Sequence, residues 1–166
     1  MKFNHLLLIA LFGVATMNNA CKKDEDPDNN TPEVILPGEG ITSVKIGDKA
    51  QVAIDAFGSV SPSYGAFNGV YTHFLLYISE GITVYMEPTT VGTFNADMPV
   101  VSLTLSSPFD GKTVKNIGIG STKAEVKAAY GEPDNSSAFF GDGYAIGITF
   151  IYDDQDKVEQ IEVIKI

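Results

Sequence analysis

Several short stretches of this chain alternate large apolar residues with others at a period of two, between glycine, proline and acidic turn residues. That pattern commits them to strands of antiparallel sheet. In "YTHFLLYIS" (Tyr71 to Ser79) it places Phe74, Leu76 and Ile78 on one face. "GITVYM" aligns Ile82, Val84 and Met86, and "VSLTLS" aligns Val101, Leu103 and Leu105. Farther on, "GITFIY" aligns Ile148, Phe150 and Tyr152, "DDQDK" reads as a hairpin turn, and "VEQIEVIKI" as the closing strand. Val158 is out of phase with Ile161 and Val163, which predicts a bulge or a strand that starts after it.

Two helices precede these strands. In "GSTKAEVKAAYGEP", Thr122 followed by Glu125 fits a capping box, Val126, Ala129 and Tyr130 share a face, and Gly131 with Pro133 stops the helix. Earlier, Asp48 and Gln51 can form the cap and Gly58 the stop. One ungapped shift superposes Ile41 on Val114, Ile46 on Ile119, Gly47 on Gly120 and Gly58 on Gly131, as a duplication would. The expected fold is therefore α+β: two tandem units, residues 40–108 and 109–166, each a short helix packed on a small antiparallel meander. The expected core is Ile46, Val52, Phe57, Phe74, Leu76, Val84, Leu103, Val126, Tyr130, Phe150 and Ile161.

The N-terminus has the grammar of an export signal in residues 1–20: Lys2, the apolar run Leu6 to Ala15, then Ala20 before Cys21. The run is too short for a permanent membrane span. Cys21 is the only cysteine, and the segment resembles a bacterial lipoprotein signal, whose first mature cysteine carries the lipid. The following "KKDEDPDNN" is similar to the tether of Bacteroidota lipoproteins, and residues 21–39 read as a flexible acidic linker. The resemblance implies an outer-membrane lipid anchor facing the periplasm or the cell surface.

Charge narrows the function further. The formal net charge is −10, and there is no arginine in the sequence, which argues against nucleic-acid binding and bidentate phosphate clamps. His73 is the only histidine beyond the signal, and it has no serine elbow near it, so no catalytic constellation is expected. "FDGKT" lacks the first glycine and the following helix of a phosphate loop. Asp153, Asp154 and Asp156 are weak calcium candidates, since the loop lacks the mid-loop glycine and distal acid of an EF-hand. No metal or cofactor is assigned.

Opposite the presumed core face of the Tyr71–Ser79 strand stand Tyr71, His73, Leu75 and Tyr77, with Tyr85 on the next strand. Large side chains on a solvent face mark a contact surface, unless the second unit or the loop Glu87 to Met98 covers them. The pattern "IGxxxxxVxxxYGEP", followed by strands and "GITFIYDDQDKVEQIEV", resembles envelope proteins of the SmpA/OmlA type and the tandem-repeat β-lactamase inhibitor proteins. That resemblance implies a protein-binding module without catalysis, its partner an envelope or secreted protein. Glycan capture by the tyrosines and a structural scaffold are the alternatives.

Overall fold

In a computed structural model of the chain, residues 32–166 are described and form one compact unit. The expected signal peptide, Cys21 and most of the acidic linker lie outside the described residues. Folding begins before the expected Gly40. Strand β1 (Val34–Leu36) pairs antiparallel with β2 (Gly40–Ile41) and parallel with β7 (Lys112–Thr113), burying Ile35 completely.

The rest is one large antiparallel sheet. Helix α1 (Ala50–Phe57) leads into β3 (Ser63–Phe67), β4 (Val70–Tyr77), β5 (Ile82–Met86) and β6 (Val100–Ser106). Helix α2 (Lys123–Tyr130) leads into β8 (Asn135–Ser137), β9 (Gly141–Tyr144), β10 (Ile148–Tyr152) and β11 (Val158–Ile164). The spatial order is β3-β4-β5-β6-β11-β10-β9-β8, so eight strands share a single sheet. This corrects the expected α+β pair of units with separate meanders: the described residues are mostly β, with two eight-residue helices among them. The physical reason lies at β6 and β11. Each is a seven-residue strand whose second edge would carry unpaired backbone groups in a smaller sheet, and pairing them through Leu105↔Ile161 and Leu103↔Val163 satisfies both.

Both helices lie on the same face. Directly opposed residues share a face, and the row Tyr77, Ile82, Leu105, Ile161, Phe150 runs through β4, β5, β6, β11 and β10, all buried. Phe57 of α1 meets Tyr77 at one end, with ring centroids 5.2 Å apart, and Tyr130 of α2 meets Phe150 at the other, 5.5 Å apart. Val84, Leu103, Val126, Phe150 and Ile161 are core as expected, while Phe74 and Leu76 are not.

The helix ends follow local chemistry. Thr122 and Glu125 form the expected reciprocal cap, and Gly58 and Gly131 stop the helices at φ 89° and 85°. Asp48 does not cap α1: its carboxylate accepts from Lys45 N at 2.8 Å. Carbonyls of the Glu87–Met98 loop replace it, Ala50 N donating to Met98 O and Gln51 N to Ala96 O, both 2.9 Å. The expected irregularity near Val158 is a bulge, with Tyr152 opposite Val158 and Ile151 opposite Gln160.

Candidate functional site

The face read as outward from the sequence is the inward one. His73, Leu75 and Tyr77 are buried, and Tyr71 is half-buried. They therefore do not form an open contact surface, and the covering is twofold. Helix α1 sets Phe57 on Tyr77. The Glu87–Met98 loop folds over the other end, where the His73 Nε2–H donates to Val91 O at 3.1 Å and Phe94 packs against the imidazole. Gly92 lies flat on Tyr71, and a Cβ there would stand 3.3 Å from the ring.

Tyr85 separates from the other four. It points through the opposite face of the sheet and packs on Phe74, ring centroids 5.6 Å apart. Two rows define this face. One runs Phe74, Tyr85, Ser102, Ile164; the next runs Leu76, Thr83, Thr104, Glu162, Thr149. None of these residues is buried, and Leu76 and Ile164 are 44% and 48% exposed. Among the described residues neither helix lies on this side. The centre is a hollow of about 190 Å³ lined by Tyr85, Ser102, Leu103, Thr104, Glu162 and Ile164. Glu162 is the charged group of these two rows and accepts from Gln160 Nε2 at 3.3 Å. An aromatic pair, a strip of hydroxyls and one carboxylate around a shallow hollow can hold a protruding side chain, with hydrogen bonds at its rim.

Two of the three calcium candidates, Asp153 and Asp156, serve the fold. Asp153 Oδ1 accepts from Gln155 N at 2.8 Å and Lys157 N at 2.9 Å, which closes the β10–β11 turn. Asp156, at φ 57°, supplies the turn's left-handed residue. Among the described residues no three His, Cys, Asp or Glu side chains gather as a metal site. Sequence reasoning missed one cluster. Asp142, fully buried on β9, accepts from Ser136 Oγ and stands 3.4 Å from Lys123 Nζ at the start of α2. Tyr152 lies beside it under the same lysine, and burial, then the Asp142 charge, pushes its phenol well above the ordinary value. This carboxylate is spent on tying β8 and α2 to the sheet edge. Its signal in "GDGY" was an acid between glycines, too short a stretch to read as a strand.

No family model matches the chain, and no curated protein matches it. Among solved structures it is similar to a cysteine-rich secretory protein from Staphylococcus aureus, with a TM-score of 0.48 and 18% sequence identity. The similarity covers 80% of this chain and 47% of that one, so the chain spans less than half of that protein's length.

Proposed function

We propose that this chain is a cell-envelope lipoprotein, anchored to the outer membrane through Cys21, whose compact unit is a non-catalytic protein-binding module. The binding surface in this reading is the uncovered face of the eight-stranded sheet, not the buried tyrosine face. One observation carries it: both helices and the Glu87–Met98 loop pack on one side, leaving Phe74, Leu76, Tyr85 and Ile164 unburied around a hollow on the other. Apolar area left beside hydroxyl rows, on a sheet whose core is already complete, suits a protein partner better than solvent. The matching surface is an envelope or secreted protein that presents an apolar side chain to the hollow, flanked by lysine or arginine towards Glu162. The formal charge of −10 favours the approach of such a partner.

The test is crosslinking in intact cells, comparing the native chain with Phe74→Ser/Tyr85→Ser and with Val114→Ser as an exposed control. The double variant gives up a half-buried ring pair and is expected to melt lower, yet at a temperature where it is still folded it should lose one specific partner that the control keeps. A partner retained by the double variant would remove this face from consideration.

A further inference from the structure

The two edges of the large sheet are built differently. Strand β8 is three residues long, follows Pro133 and Asp134, and the Asp134 carboxylate accepts from Ala145 N across its end. A short strand with proline and an acid beside it is a protected edge. Strand β3, "SYGAF", also follows a proline, Pro62, but no acid flanks it; it is five residues long and every one of them is exposed, Phe67 at 78%. No charged residue occurs from Val60 to Ser79. None of the usual devices against edge pairing lies within β3, and among the described residues nothing pairs with its outer side.

The register shows which backbone groups are free. Asn68 and Gly69, at φ 50° and 77°, make a two-residue turn that closes on the Phe67–Val70 pair. Hydrogen-bonded pairs then alternate, so Phe67, Gly65 and Ser63 bond to β4, and Tyr64 and Ala66 turn their N–H and C=O outward. Tyr71, opposite Ala66, fits this alternation. Its N–H and C=O bond the other way, to Thr89 at 2.7 and 2.9 Å.

The strand is also complementary to itself. In an antiparallel pair centred on Gly65, Tyr64 faces Ala66 of a second copy and Phe67 faces Ser63, so each face sets a large side chain against a small one. Every outward Tyr64 and Ala66 group finds a partner in that register, about four hydrogen bonds in all. Two acidic chains repel one another, and the uncharged run from Val60 to Ser79 is where that repulsion is least. We infer that the chain dimerises through β3, edge to edge about a two-fold axis at Gly65. The sheet doubles, and both uncovered faces lie on the same side of it.

Residues 22–166 contain the whole compact unit and no cysteine, which suits them to the test. Sedimentation is expected to show a mass that doubles with concentration. Ala66→Pro removes an outward N–H and no bond to β4, and is expected to raise the dissociation constant roughly ten- to a hundred-fold. Gly65→Cys has open space for its Cβ and sits on the axis. Its opposing Cα atoms would be about 4.5 Å apart, within disulfide reach, so mild oxidant yields a covalent dimer, whereas Phe67→Cys, off the axis, does not. A native chain that stays monomeric into the millimolar range overturns the inference, whatever other strand the edge captures. So does a dimer that Gly65→Cys fails to lock, an outcome that is readable even if Ala66→Pro disturbs folding.

Discussion

Leu75 and Leu76 are neighbours of identical chemistry on β4, and they test which side of the sheet is core. Leu75 is fully buried opposite the buried Val84; Leu76 is 44% exposed opposite Thr83. Truncation to alanine removes three carbons, about 2.4 kcal/mol of transfer free energy if all are buried, at about 0.8 kcal/mol each. Leu75→Ala loses all of it and leaves a cavity, for a total of about 3–4 kcal/mol. Leu76→Ala loses about half and leaves no cavity, for about 1 kcal/mol. Equilibrium unfolding in urea separates the two. With a slope of about 2 kcal/mol per molar, the midpoint falls by roughly 1.7 M for Leu75→Ala and about 0.5 M for Leu76→Ala. Equal shifts would refute the assignment of faces, and with it the location of the contact surface.

Thr122→Ala removes the α2 cap and is expected to cost about 1 kcal/mol, read by the same unfolding assay. The Glu125 carboxyl is held below its usual 4.5 by hydrogen bonds from the Thr122 N–H and hydroxyl, so its contribution is present above that value and lost as pH falls through the lower folded one. Glu125→Gln should flatten that acid limb, and an unchanged limb would discount the cap. Burial raises the phenols of Tyr77, Tyr130, Tyr144 and Tyr152, so their contribution is complete below about pH 10 and lost as pH climbs through the folded values. Their ionisation, followed by phenolate absorbance, should coincide with loss of the sheet signal in circular dichroism. Ionisation of all four in a chain that is still folded would contradict their burial.

The strands that alternate apolar with polar residues were legible in the sequence. In β5, β6 and β10, Thr83, Thr104 and Thr149 mark the outer face, and Val84, Leu103 and Phe150 are core as read. β4 was not legible, because both its faces are apolar. Tyr71, Leu75 and Tyr77 alternate with Phe74, Leu76 and Ile78, and a period of two carries no sign when both phases are large. The choice is made at a distance, by Phe57 on Tyr77 and by Val91 and Phe94 on His73. The Glu87–Met98 loop has no periodicity that could announce this. The strands β1, β7 and β8 are three residues or fewer and escape any window, and β9 reads as a turn because two of its four residues are glycine. Fusion of the two expected sheets was hidden for a related reason. The pattern within β6 and β11 says which face is buried and nothing about which strand lies alongside.

Every neighbouring pair in the large sheet except β6 with β11 joins strands consecutive along the chain. Those pairs are meander links that each half can close early, before distant residues have met. The β6–β11 seam brings Ser106 to Gln160, and it cannot form until the last strand has been made. During synthesis β6 therefore waits as a seven-residue open edge, with Leu103 and Leu105 on its apolar side. A ribosome that stops short of Val158 releases a chain whose longest unpaired strand is ready to add to another copy. Termination between β6 and β11 should thus yield aggregate and proteolytic fragments, not a smaller folded protein.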